Sequence, residues 1–132
     1  MLDVKDIIKK MYLKLYLSGY NKISLRDEDL ESYVPFIEDL IESEHIYTDD
    51  LFIKVNDSYN NFKSYLVKLF LCNTIGYMNE SHDAIILRPN YFYAYNELQK
   101  TAIYGDLIDR CCNTLLSYYS NNEHYSLRKV IS

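Results

Sequence analysis

The sequence predicts a single α+β domain, residues 1–132, dominated by helices, with about five to six helices and two short β-hairpins. A chain of 132 residues of which 48% are hydrophobic has the usual size of one domain and can bury a core of its own. Apolar residues recur at helical spacing in several segments. Two pairs of short strand-like segments are each separated by polar turn residues, which is typical of hairpins.

The first predicted helix begins after Asp3, a residue type that caps helices, and ends near Ser18, where Gly19 is a stop signal. Its apolar face is formed by Val4, Ile7, Ile8, Met11 and Leu15. Its opposite face is formed by Lys5, Lys9, Lys10 and Lys14. This division predicts that one face packs against the core and that the lysine face is exposed.

A short extended segment, KIS, follows this helix, and Ser24 with Asp27 three residues later resembles a capping box that opens a second helix. Pro35 is predicted to break the second helix, because proline lacks an N–H group and restricts the residue before it. A third helix is then predicted over PFIEDLIESE.

The next residues predict a first hairpin, in which HIY and LFIKV are strands and TDD is the turn. The order of helix, extended segment, two helices and hairpin is similar to that of a winged helix. We therefore divide the domain into a winged-helix-like half, residues 1–56, and a second half, residues 57–132, with a helix, a hairpin and the C-terminal helices.

In the second half, Asp57 or Ser58 is predicted to cap a helix that ends near Asn73. IGYM, the loop NESH and DAIIL predict the second hairpin, and a helix from Tyr91 is predicted to break at Gly105 and continue, with a short helix at the C-terminus. Displacing the chain by 29 residues superimposes the apolar positions of the two halves. An internal repeat of helix and hairpin, or helical periodicity alone, explains that match.

Charge is distributed unevenly along the chain. Residues 1–22 carry five lysines and two aspartates, whereas residues 23–51 carry one arginine and ten acids, a net charge of minus nine. Nucleic-acid recognition is disfavoured, because the helix that we place in the recognition position displays acids that repel phosphates. The acids predicted to bind a protein partner with a basic surface are Glu38, Asp39, Glu42, Glu44, Asp49 and Asp50. The alternatives are a solvated acidic surface and internal pairing with the lysine face.

The segment NYFYAYNEL, residues 90–98, is rich in aromatic rings. An inward stripe is predicted at Tyr91, Tyr95, Leu98, Ala102, Leu107, Ile108, Cys111, Leu115 and Tyr118 or Tyr119. Tyr93 and Tyr104 fall on other faces, where we expect them to contact a protein, including a second copy of the chain in a homodimer. Base stacking is disfavoured, because only Lys100 and Arg110 lie among the rings from Tyr91 to Tyr119.

No enzymatic motif is present in the sequence, so we predict no catalytic residue, no metal ligand and no cofactor. The three glycines are isolated, which excludes a glycine-rich phosphate loop, and the three histidines are far apart with no CxxC motif beside them. A small enzyme that uses Cys72, Cys111 or Cys112 as a thiol, or Asp27 and Glu31 as metal ligands, is the weaker alternative.

The chain lacks an apolar run of roughly 20 residues, which a membrane helix requires, and its start does not resemble a signal peptide. Together with an odd number of cysteines, this predicts a soluble, cytoplasmic protein with no membrane contact. Abundant Tyr, Asn, Ile and Lys with little Gly and Pro is typical of genomes rich in A and T, such as those of many viruses, phages and mobile elements.

We expect a non-enzymatic, intracellular binding module. The hypothesis is an inhibitor, encoded by a virus, phage or mobile element, that masks the basic, nucleic-acid-binding surface of a host or defence protein. The alternative from another class is a winged-helix transcriptional regulator that contacts DNA through Lys5, Lys9, Lys10 and Lys14.

Overall fold

Five helices and a three-stranded antiparallel sheet make up the described part of a computed structural model, residues 3–100 and 104–121. This confirms the predicted helix-dominated α+β fold. The helices are α1 (Val4–Leu17), α2 (Asp27–Ser43), α3 (Asn60–Phe70), α4 (Tyr91–Gln99) and α5 (Gly105–Asn121). The strands are β1 (Lys22–Ser24), β2 (Gly76–Met78) and β3 (Ala84–Leu87).

Helix α1 lies at the centre of the fold, and it is buried on nearly every side. The predicted Asp3 cap is confirmed, and it is part of a capping box in which Asp3 and Asp6 accept hydrogen bonds from each other's backbone N–H groups. Tyr12 packs edge-on against Phe70 of α3 and shares a hydrogen bond with the Tyr33 hydroxyl of α2. Helices α4 and α5 also pack against α1. Its environment is therefore apolar on more faces than the amphipathic pattern predicts.

The small sheet joins the two halves of the chain. Strand β3 lies in the middle, so that Ile23 of β1 is paired with Ile85, and Met78 of β2 is paired with the same residue from the other side. The order α1, β1, α2, α3, β2, β3 with this strand order is similar to that of a winged helix. These elements run over residues 4–87, past the predicted division at residue 56. In this comparison α3 takes the position of a recognition helix, and the β2–β3 hairpin takes that of a wing.

Pro35 does not break its helix, and the predicted second and third helices form the single helix α2. The inward residues Leu30, Val34, Ile37 and Ile41 keep helical spacing on both sides of the proline. Burying that continuous stripe outweighs the one backbone hydrogen bond that proline removes. The helix also begins at Asp27 with Arg26 as its N-cap, so the predicted Ser24 cap is wrong.

The first predicted hairpin, residues 45–55, does not form. This segment is a series of turns with an isolated bridge between Val55 and Ser58. Leu51 and Phe52 are both buried although they are neighbours, which a strand does not allow because its side chains alternate between two faces. A hairpin therefore follows α3 but not α2, and the structural repeat of helix and hairpin is contradicted.

Most of the second half matches the prediction. The β2–β3 hairpin is confirmed, and α4 ends at Gln99 whereas α5 begins at Gly105. Tyr95 is 59% exposed, so its predicted inward position is wrong. The predicted C-terminal helix lies outside the described residues, as does Ala102. Within the described ranges, no helix is both long enough and apolar enough to cross a bilayer.

Candidate protein-binding surface

The outward face of α2 carries the largest group of predicted partner-binding acids. Asp39 and Glu42 are exposed there and Glu38 is half-buried. We call Glu38, Asp39 and Glu42 the acidic triad. The side chain of Phe36, one turn before Asp39, is 60% exposed on the same side of the helix. An aromatic ring thus lies beside a cluster of negative charge.

The remaining acids of α2 are paired inside the molecule. Glu28 pairs with Arg26, and Asp29 accepts hydrogen bonds from Ser24 and Tyr118. Glu31 lies 3.1 Å from the Lys54 ammonium. Contacts within the molecule therefore offset much of the negative charge in the amino-terminal half of α2.

Asp27 has a structural role that the sequence did not reveal. Its carboxylate accepts hydrogen bonds from the Tyr59 backbone N–H at 3.1 Å and from the Ser58 hydroxyl at 3.0 Å, and it pairs with Lys63 at 2.8 Å. Burial acts in the opposite direction, but these contacts prevail and lower the pKa of Asp27. A side chain of α2 thereby accepts a hydrogen bond from the backbone of Tyr59, the N-cap residue of α3, whereas Asp57 or Ser58 was predicted to cap this helix.

The acidic triad differs from these acids because it forms no ion pair with any described residue. Partial burial raises the pKa of Glu38, and the like charges of Glu42 and Asp39 raise it further. At neutral pH the triad therefore holds mutually repelling charges, one of them partly removed from water. A cation supplied from outside the molecule would relieve that repulsion.

The other predicted acids are divided between two environments. Glu44, the C-cap of α2, pairs with Arg110 of α5 at 2.7 Å. Asp49 and Asp50 are exposed in the turn after α2, next to the 82% exposed side chain of Tyr47. The structure thus keeps Asp49 and Asp50 accessible, whereas Glu44 connects two helices.

The predicted lysine face of α1 is largely covered. Lys10 is only 6% exposed, so its predicted exposure is wrong. Lys9 lies 2.8 Å from Glu97 of α4 and over the ring of Tyr93, and Lys14 pairs with Asp109 of α5. Lys9 and Lys14 thus pair with acids of α4 and α5 rather than with the acidic block, and Lys5 stays exposed.

The rings of α4 are placed differently from the prediction. Tyr93 and Tyr104, predicted to face a partner, are half-buried and pack against the core. Among the side chains of this segment that the structure describes, Phe92 and Tyr95 are the exposed rings, at 82% and 59%. The short length of α4 made its rotation difficult to predict from spacing alone.

The cysteines do not resemble an activated site. Burial raises the pKa of Cys111 to about 12, and burial also raises the pKa of Cys112, so both thiols stay protonated. Cys72 is exposed. Among the described residues, no three of His, Cys, Asp and Glu are grouped as metal ligands would be.

The acidic helix α2 is not the helix that matches the recognition position of a winged helix, so its charges do not bear directly on DNA binding at that position. Helix α3 contains Lys63 and Lys68 and no acid. Its surroundings are mixed, since Lys63 is paired with Asp27, and the Asn61 side-chain amide at the start of α3 donates a hydrogen bond to the backbone carbonyl of Asp50.

Comparison with known proteins gives no relative. No protein-family model, curated protein or solved structure matches the chain. The exposed and paired side chains of the described residues are therefore the basis for proposing a function.

Proposed function

We propose that the chain is a non-enzymatic binding module whose acidic triad docks onto a basic surface of a partner protein. The observation that carries this proposal is the contrast within one helix. Four acids of α2 are paired with groups of the same molecule, while Glu38, Asp39 and Glu42 are left without a cation among the described residues.

Phe36 adds an apolar contact to the charged one. Interfaces combine aromatic anchors with charged groups around them, and complementary charge mainly sets specificity and association rate. An exposed phenylalanine beside Asp39 fits a partner that presents Arg or Lys next to an apolar side chain. We extend the proposal to a masking role, in which the partner's basic surface normally binds nucleic acid and the gene belongs to a virus, phage or mobile element.

Capture from a lysate of a candidate host cell tests the proposal. The native protein is compared with Glu42→Lys and with a matched control, Glu80→Lys in the β2–β3 turn. Both glutamates are exposed and neither forms an ion pair with a described residue, so the two variants change net charge equally. We expect Glu42→Lys alone to lose a captured protein at moderate salt. Loss by both variants, or by neither, contradicts docking at the triad.

Reversal of Glu44 is left out of this design. Lysine at that position would face Arg110 and break a contact between α2 and α5, so that a loss of capture would be ambiguous. Far-ultraviolet circular dichroism of each variant establishes that the fold is retained.

DNA binding is the second candidate, and the observation that favours it is the position of the acid-free helix α3 in a winged-helix topology. Lys68→Glu would then abolish binding of a DNA duplex, whose affinity would fall steeply with salt. Changing Lys9, Lys10 and Lys14 is a poor test, because these lysines are buried or paired within the fold.

A further inference from the structure

A groove of about 470 Å³ runs between the first turns of α1 and the exposed side of α3. Its volume lies within the range of about 300–1,000 Å³ that is common for small-molecule sites. Lys5 of α1 and Lys68 of α3 contribute cationic groups to its wall, and Leu69 contributes an apolar surface. This groove is separate from the acidic triad and does not depend on it.

The lysines of the groove are available to a ligand. Neither Lys5 nor Lys68 forms an ion pair with a described residue, and no described carboxylate lines the groove. The Lys5 ammonium lies 5.6 Å from the centre of the Tyr65 ring, a contact that holds the flexible side chain at the edge of the groove.

Two hydroxyl groups add neutral donors. Ser64 and Tyr65 both line the groove. Burial raises the pKa of Tyr65, and the nearby charges of Asp3 and Asp6 raise it further, so its hydroxyl keeps its proton and can donate a hydrogen bond. Two ammonium groups and two hydroxyls with no carboxylate form a set of donors that suits an anion.

Acids around the groove limit the size of that anion. Asp3 and Asp6 lie near Tyr65 on one side, and Asp49 and Asp50 line a neighbouring hollow that shares Tyr65. A long polyanion that extends beyond the groove meets these carboxylates, whereas a small anion stays between the lysines.

We propose that this groove binds a small organic anion, in which a phosphate or carboxylate group contacts Lys5 and Lys68 and an apolar part packs against Leu69. Charge and shape select the ligand together. The proposal is independent of the protein-binding function.

Titration of ¹⁵N-labelled protein with phenyl phosphate, benzoate and phenol tests it, with the amide signals of Ser64 and Tyr65 as the readout. We expect saturable shifts with phenyl phosphate or benzoate and none with phenol. The tighter of the two anions identifies phosphate or carboxylate as the preferred group. Lys68→Gln should weaken that binding about tenfold, as expected for loss of a charged hydrogen bond. Lys100→Gln, an exposed lysine of the α4 C-cap, should change it less than about twofold.

Three results would overturn the proposal. If phenol bound as tightly as the anions, the groove would bind through apolar contacts alone and its lysines would not contribute. Equal affinity of the Lys68→Gln variant, with its native spectrum intact, would place the anion elsewhere. Lysine-dependent binding of a short DNA duplex or an acidic peptide, without saturation by phenyl phosphate or benzoate, would assign the groove to a macromolecule.

Discussion

Substitution of Glu38 by Gln should make the isolated protein more stable at neutral pH. The carboxylate of Glu38 is half-buried, lies one turn from Glu42 and next to Asp39, and has no cation among the described residues to offset them. Like charges four residues apart on a helix cost about 0.2–0.5 kcal/mol. Adding the smaller effect of Asp39 and of partial burial, we expect Glu38→Gln to raise the free energy of unfolding by about 0.5 kcal/mol.

The pH dependence of stability independently tests whether ionised Glu38 destabilises the protein. Because the folded protein raises the pKa of Glu38, ionisation of this group opposes folding, and the cost is present above that pKa. The cost decreases as pH falls through the raised pKa and is gone below the ordinary pKa of a glutamate, where the carboxyl is neutral in both states. The advantage of Glu38→Gln over the native protein should therefore be largest near pH 7 and vanish near pH 3.

Urea unfolding followed by circular dichroism measures this difference. With a slope of about 1–3 kcal/mol per molar urea, the midpoint should rise by roughly 0.2–0.5 M at pH 7. Glu31→Gln is the matched control, because Lys54 and Tyr59 lower the pKa of Glu31 and its substitution should lower the midpoint. If Glu38→Gln destabilises the protein as Glu31→Gln does, Glu38 has a stabilising partner and the reasoning about the triad is wrong.

Three further predictions concern the core and its capping contact. Tyr33→Phe should lower the free energy of unfolding by about 1–3 kcal/mol, because it leaves the buried hydroxyl of Tyr12 without its partner. In a double-mutant cycle, the variant with both Tyr12→Phe and Tyr33→Phe should lose less stability than the sum of the two single changes. Cys72 should react rapidly with a thiol reagent at pH 8 while Cys111 reacts only after unfolding in urea; equal rates in the native protein would refute its burial. Asp27→Ala should cost about 1 kcal/mol and speed hydrogen exchange at the start of α3, and unchanged exchange would show that this carboxylate does not cap the helix.

The elements that could be predicted from the sequence are those whose signals are local. The Asp3 cap, the Gly19 stop and the apolar stripe locate α1. The polar loop NESH between the strand-like segments IGYM and DAIIL locates the β2–β3 hairpin. The predicted break at Pro35 was wrong, because the local effect of proline is outweighed by burial of the apolar stripe, which continues at helical spacing beyond it.

The pairing of charges could not be predicted, because it depends on contacts between distant residues. Glu44 meets Arg110, and Lys9 meets Glu97, only after the helices have packed. The sequence located the acidic block correctly but could not distinguish its paired acids from Glu38, Asp39 and Glu42. Within α2 that distinction narrows the candidate surface to residues 38–42, and it leaves Asp49 and Asp50 accessible in the turn that follows the helix.

The most direct test of docking is the affinity of a captured partner for the native protein, Glu42→Lys and Glu80→Lys, measured by calorimetry at one salt concentration. Docking at the triad predicts that Glu42→Lys weakens binding by about tenfold or more and that Glu80→Lys changes it by less than about twofold. Equal affinities for all three proteins would contradict a role of the acidic triad in binding.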